Sequence, residues 1–385
     1  MKTLNIGIIG YKFMGKAHSN AWKKVPLFFD VPAHPVLKVA CGRNESQLKT
    51  FAHKWGWEQT ETDWKKVINR SDIDIIDIAL PQHMHHEIAM AAAAAGKHIF
   101  CEKPMAMSVK QAEEMLQVCT DNNVTHYLNH NYRRVPAIAL AKQMISEGAL
   151  GKIFHWRAAY QQDWIVDPAF PLSWQLQKET AQAGPQWDLN SHCVDLAHFL
   201  VGPISTVTCL TTNFIRERPL ASEDSVGNLK ATAKGTATGP VTVEDAALMM
   251  VQFDNGAIGS FEATRFATGR KNKLSFEISG SKGSIAFDLE RMNELQYYNA
   301  EDPEHARGFR TILATESVHP YMDHWWPPGH IIGYEHSFIH AAADFLKAVT
   351  GQQAIAPDFN DGLKIMRVLE AGLLSAQNGQ KIIVH

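Results

Sequence analysis

Leu4-Asn5-Ile6-Gly7-Ile8-Ile9-Gly10-Tyr11-Lys12-Phe13-Met14-Gly15-Lys16-Ala17-His18 is the stretch whose reading decides the fold. Apolar β-formers from Leu4 to Ile9 run straight into a glycine turn, and a helical pattern follows at once and continues through Trp22. In a strand-turn-helix unit of this kind the first glycine makes the turn. The last lets helix and strand pack closely, so that the helix N-terminus faces an anion. A dinucleotide, through its pyrophosphate, is the guest that suits such a turn. The spacing departs from G-x-G-x-x-G at one place, because Lys12 stands where a middle glycine would let the backbone approach the phosphates. Gly10, Lys12, Phe13, Met14 and Gly15 are the expected contacts on this side.

Outward from this unit, short apolar runs at Val36 to Cys41, Ile73 to Leu80, Lys97 to Cys101 and Val124 to Asn129 read as strands. Helical patterns at Ser46 to Trp55, His85 to Ala95 and Val109 to Cys119 fill the gaps, with Gly96 placed as a C-cap. Repeated β-α-β units predict an α/β fold with a doubly wound parallel sheet over residues 1–130 and ligands at the carboxyl ends of its strands. Over 131–385 the pattern changes. Ile153 to Tyr160, Ser205 to Asn213, Ala246 to Phe253, Gly256 to Thr264, Lys273 to Ser279 and Gly283 to Asp288 predict a large, mainly antiparallel sheet. Turn signals such as Asp254-Asn255-Gly256 join several of these strands. Helices are expected at Val135 to Glu147, Asn190 to Val201, Tyr334 to Val349 and Asp361 to Asn378. Gly235 to Gly239 reads as a loop, and Pro303 to Pro328 as a long irregular segment.

The 385 residues, 45% hydrophobic and 20% charged, suffice for two globular domains. With 37 basic against 40 acidic residues and no basic stripe interleaved with aromatics, nucleic acid is not an expected partner. Neither a leader nor an apolar run of membrane-spanning length precedes or interrupts the domains, so a cytoplasmic chain without membrane association is expected. Five scattered cysteines read as reduced, buried small hydrophobes. The cluster His83, His85 and His86 lacks further ligands at fitting spacing, so no metal is expected and the cluster reads as a helix start beneath the cofactor.

Two more signatures carry chemistry. Phe100-Cys101-Glu102-Lys103-Pro104 closes a predicted parallel strand, where such a sheet places its ligands. By position alone, Lys103 is either a reactive group or a surface ion-pair residue. Gly184-Pro185-Gln186-Trp187-Asp188-Leu189-Asn190-Ser191-His192 sets Asp188 and His192 one helical turn apart. Spacing alone equally suits an N-cap aspartate beside a histidine with no special role.

Together with Pro81-Gln82-His83-Met84-His85-His86-Glu87-Ile88-Ala89, Ala94-Ala95-Gly96-Lys97-His98 and Asn131-Tyr132-Arg133-Arg134, these elements resemble, over nearly the whole chain, the Gfo/Idh/MocA family of oxidoreductases. Met322 to His330 and Gly333 to His336 resemble its branch of levoglucosan and polyol (inositol) dehydrogenases. The resemblance implies an N-terminal Rossmann domain, a C-terminal α/β domain on an open sheet that supports homodimers or homotetramers, and hydride exchange between a nicotinamide cofactor and a secondary alcohol of a sugar, anhydrosugar or cyclic polyol. It implies His192 as general base and acid, Lys103 as the group polarising the carbinol oxygen or relaying its proton, and Asp188 as the residue orienting substrate. Pro81, His83, His86, Glu102 and Lys103 join the expected cofactor contacts. Trp164 and Trp187 are candidates to stack on a sugar ring or to pack internally, and Asn131, Arg133, Gln161, Asp163 and His336 are candidate hydroxyl ligands.

For the NAD(P) cofactor, Gly42 and Arg43 close the second strand where an acidic residue commonly binds the ribose of NAD. This tilts the expectation slightly toward NADP, with Arg43 pairing the 2′-phosphate. Two other functions are compatible with the same motifs: glycoside cleavage by transient oxidation and elimination, which uses nucleotide catalytically, and a non-enzymatic nucleotide sensor.

Overall fold

The computed structural model describes residues 2–221 and 233–385, with backbone alone at 233–236. Six strands form the first sheet: β1 (Lys2–Ile9), β2 (Ala33–Cys41), β3 (Gln59–Glu61), β4 (Ile75–Ile78), β5 (His98–Cys101) and β6 (His126–Leu128). All neighbouring pairs are parallel, in the order β3-β2-β1-β4-β5-β6. This doubly wound order reverses direction between β1 and β4, which opens a crevice at the carboxyl ends of those strands. Between the strands run α1 (Phe13–Phe28), α2 (Glu45–Trp55), α3 (Trp64–Ile68), α4 (His85–Ala94) and α5 (Val109–Asp121). Local chemistry sets their ends. Asn44 caps α2 by accepting from the Gln47 amide, Ser108 caps α5 by accepting from Gln111, and Gly96, with φ +70°, closes the turn after α4.

The rest of the chain supplies α6 (Pro136–Ser146), β7 (Ile153–Gln161), α7 (Lys178–Ala181), α8 (Pro185–Asp188), α9 (Asn190–Leu200), β8 (Ile204–Thr212), β9 (Glu217–Ala221), β10 (Ala233–Pro240), β11 (Ala246–Phe253), β12 (Ile258–Thr264), β13 (Lys273–Gly280), β14 (Gly283–Asp288), β15 (Glu294–Asn299) and β16 (Arg310–Leu313). It ends with α10 (His336–Val349), α11 (Phe359–Asn378) and β17 (Ile382–Ile383). Nine strands form the second sheet, in the order β16-β15-β14-β13-β7-β12-β11-β8-β17, antiparallel throughout except between β7 and β12. Along β11 and β13 buried residues alternate with less buried ones, so one face is covered and the other open. Helices α6, α8 and α9 lie against the covered face. The open face exposes Leu210, Leu248 and Met250. Among the described residues no helix is long and apolar enough to cross a membrane.

Three features depart from the sequence expectation. Gly235 to Gly239, read as a loop, belongs to β10, which pairs antiparallel with β9; glycine and proline in this ribbon mask its strand pattern. Within Pro303 to Pro328, β16 adds an edge strand to the large sheet. The chain divides into one unit of Met1–Asn131 with Tyr334–Met366 and another of Tyr132–Gly333 with Arg367–His385, so the expected continuous span 131–385 is interrupted. The reason is aromatic packing. Phe345 and Phe338 of α10 meet Trp22, Phe100, Tyr127 and His18 with ring centroids 5.4–6.3 Å apart.

Candidate active site

The first unit builds a phosphate-type turn from backbone. Gly10 has φ +115°, and a Cβ there would strike the Ala79 carbonyl. A Cβ on Gly15 would overlap the Gly10 carbonyl, so the start of α1 is pressed directly against the turn. No side chain caps α1 and its first turn holds no acidic residue, which leaves amide donors and the positive end of the helix dipole for an anion. Phe13 is exposed beside it. Lys12 donates to Gln47 Oε1 at 3.0 Å, and the Tyr11 hydroxyl donates to the same atom at 3.3 Å. Gly42 has its own reason for lacking a side chain, because a Cβ there would overlap the Tyr11 ring. Arg43 is exposed at the end of β2.

At the end of β5, Lys103 is seated on a braced backbone. Its amide donates to Glu102 Oε2 at 3.2 Å. Glu102, expected to touch the cofactor, is instead buried and bonded: its Oε1 lies 2.8 Å from His18 Nε2 and accepts from Asn129 Nδ2 at 2.6 Å. The other ring nitrogen of His18 is 2.7 Å from Asp77, whose second oxygen accepts from Trp22 at 2.6 Å. Burial alone favours a neutral His18 ring, but Asp77 and Glu102 outweigh it and raise the pKa to about 10.

The histidine cluster divides three ways. His83 is exposed beside Pro81. His86, an expected cofactor contact, faces Glu114 of α5 at 2.7 Å. His85, read from the sequence only as part of a helix start, is fully buried with one ring nitrogen 2.8 Å from the Leu80 carbonyl and the other 3.0 Å from the Pro104 carbonyl. It clips the loop after β4 to the loop after β5, and burial lowers its pKa despite the two carbonyls.

In the second unit, Asp188 and His192 do not share one helix. Asp188 ends the single turn of α8, Leu189 is the joint, and His192 lies in the first turn of α9. The His192 ring, 5% exposed, packs on Tyr132 at 4.4 Å and on Tyr160 at 5.7 Å, and the two tyrosine hydroxyls lie 3.0 Å apart. Asp188 receives a 2.7 Å ion pair from Arg265, itself buried and lying 5.3 Å from the Trp164 ring. Arg265 follows the end of β12 and no motif marks it; its only sequence signal is a cation directly after an apolar strand.

Several expected hydroxyl ligands have other partners. Arg133 forms a buried pair with Asp195, its Nε donating to both carboxylate oxygens at 2.9 and 3.0 Å, and it lies over Phe199. Asn131 donates to Ser337 at 2.8 Å. Gln161 follows the buried Tyr160 on β7, so alternation turns it to the open face, where it donates to Glu262. Asp163 pins the 269–271 loop through the Gly269 amide and Lys271, and these partners hold its carboxyl below the usual range. Trp187 is 0% exposed and packs internally, whereas Trp164 is half-buried and donates to Gln162 at 2.8 Å. His336 is half-buried and opens α10 in the first unit.

The glycine cradle and the open end of α1 fit a nicotinamide dinucleotide: Gly10, Gly15 and the first amides of α1 would hold its pyrophosphate. Fold and site define an NAD(P)-binding oxidoreductase. The sequence model of the oxidoreductase family with an NAD-binding Rossmann fold matches residues 4–130, and that of the Gfo/Idh/MocA C-terminal domain matches residues 138–286. The chain belongs to the Gfo/Idh/MocA family. It is 45% identical over 380 residues to the levoglucosan dehydrogenase of Pseudarthrobacter phenanthrenivorans, covering 98% of this chain and 97% of the relative. A crystal structure of an oxidoreductase domain protein from Kribbella flavida superposes with a TM-score of 0.94 at 46% identity, covering both chains fully. A levoglucosan dehydrogenase in complex with NADH and levoglucosan superposes with a TM-score of 0.93 at 43% identity, again over 100% of both chains.

Proposed function

We propose that this chain oxidises a secondary alcohol of an anhydrosugar of the levoglucosan type with NAD. The 45% identity to a levoglucosan dehydrogenase along nearly the entire chain carries the reading. The seated Lys103 and the tyrosine-packed His192 support it. Bound NAD supplies the hydride acceptor. His192 takes the hydroxyl proton and returns it in the reverse direction. Lys103 donates to the carbinol oxygen and stabilises its developing negative charge, and Asp188, fixed by Arg265, orients a neighbouring hydroxyl.

The slight expectation of NADP rested on Gly42 and Arg43. The Tyr11 ring accounts for Gly42 without any phosphate, which leaves Arg43 alone on that side. NADH is the nucleotide bound in the structurally similar levoglucosan dehydrogenase, and we assign NAD here on that ground. Five buried free cysteines suit a reducing, cytoplasmic compartment. The apolar open face of the large sheet suits a homo-oligomer.

The deciding experiment follows absorbance at 340 nm with levoglucosan and either nucleotide. Stoichiometric NADH formation, with kcat/KM higher for NAD than for NADP, is expected. Substituting His192 by Ala should lower kcat about 100-fold or more while NADH affinity stays within about threefold. Cleavage of a glycoside with only trace nucleotide would replace oxidation by redox-assisted elimination. No response to any carbohydrate, by turnover or by the absorbance of bound nucleotide, would leave a sensor.

A further inference from the structure

Behind Lys103 lies a cluster that the chemistry above does not use. We propose that His18 is a positioning residue for Lys103, joining Asp77 to Glu102 and, through Glu102, holding the backbone amide of Lys103. The inference rests on the reading of Lys103 given above and adds the group that seats it.

Four elements of the first unit meet at this ring. His18 comes from α1, Asp77 from β4, Glu102 from the end of β5 and Asn129 from just after β6. Trp22, one turn along α1 from His18, donates to the second oxygen of Asp77. Phe100 and Phe338 close over the ring with centroids 5.2 and 5.7 Å away, and His18, Asp77, Glu102 and Asn129 are all buried. Two carboxylates against one imidazolium give this buried cluster a net negative charge, with the Lys103 charge facing it through Glu102. Such an arrangement is expensive, and an apolar cluster of the same volume would serve packing as well. The charged cluster reaches the strand end through Glu102: one oxygen takes His18 and Asn129, and the other takes the Lys103 amide.

The charge state agrees with this geometry. Burial favours a protonated Glu102, but His18, Asn129 and the Lys103 charge outweigh it and hold the carboxyl below its ordinary range. The charged groups that act on His18 are Asp77 and Glu102, and Lys103 and His85 lie within reach of the Glu102 charge. Because the His18 pKa rises from 6.5 to about 10 on folding, its stabilising contribution is complete below about 6.5 and is lost as pH climbs through about 10.

The test uses the full-length protein with levoglucosan and NAD as probes. Lys103→Met is the reference and should lose about 100-fold or more in kcat with NADH affinity within about threefold. Glu102→Gln keeps the shape and removes the charge, and His18→Asn removes the bridge. Both should lower kcat about tenfold or more, keep KM and NADH Kd within about threefold, and displace the pH profile of kcat. In the apoprotein, the fall in Tm as pH rises through about 10 should be diminished in His18→Asn. Unchanged kcat and pH profile in folded Glu102→Gln and His18→Asn overturn the positioning role while leaving Lys103 in place. A loss confined to KM or Tm overturns it too. Turnover surviving in Lys103→Met overturns the reading beneath it. Should His18→Asn not fold, the isosteric Glu102→Gln decides alone.

Discussion

Asp188 does not act as a free carboxylate, because Arg265 holds one of its oxygens and is itself almost completely buried against Trp164. Replacing Arg265 by Met keeps the volume and removes the partner. The expected result is a loss of about tenfold or more in kcat/KM, since Asp188 no longer has a fixed direction. Stability should fall by about 1–3 kcal/mol, read from urea denaturation, with the partial exposure of Asp188 keeping the cost below that of a wholly buried pair. A second expectation concerns Gly42. An aspartate there is the obvious way to supply a ribose-binding carboxylate, yet its Cβ would meet the Tyr11 ring. Gly42→Asp alone should weaken NAD binding about tenfold, and adding Tyr11→Ala should restore most of it, both measured by NADH fluorescence titration.

Among elements, α2 offers the cleanest test of local coding. Asn44 accepts from the Gln47 amide at its start, and Gly56, with φ +83°, closes its end. Asn44→Ala should cost about 1 kcal/mol in chemical denaturation without changing kcat. The cap at Gly96 was readable in the sequence, as were the parallel strands and the turn at Gly10, because each depends on neighbours within a few residues. The ribbon of β9 and β10 was not, since its glycines and prolines imitate the composition of a loop. The candidate site divides in the same way. Lys103, Asp188 and His192 stood out by motif. The true environments of Gln161, Arg133 and Asp163 depend on which face a strand turns inward and on partners about 60–110 positions away in sequence, such as Asp195 and Lys271. The bracing roles of Arg265, His18 and His85 were not legible, because they are conferred by the residues each one braces.

For the molecule as a whole, the open face of the nine-stranded sheet sets the main expectation. Leu248 is 51% and Met250 66% exposed, with Leu210 beside them on the adjacent strand. Such a patch suits burial against a second copy. Leu248→Arg combined with Met250→Glu should lower the oligomeric state seen by light scattering, whereas an unchanged mass would exclude this face. The return of Tyr334–Met366 to the first unit has another consequence, for biosynthesis. Trp22 and Phe100 emerge from the ribosome early, but Phe338 and Phe345, which cover them, follow only after more than two hundred further residues. Until those rings are made, the nascent dinucleotide-type unit lacks the side chains that cover its aromatic surface, which leaves that surface open to the contacts that growing chains meet.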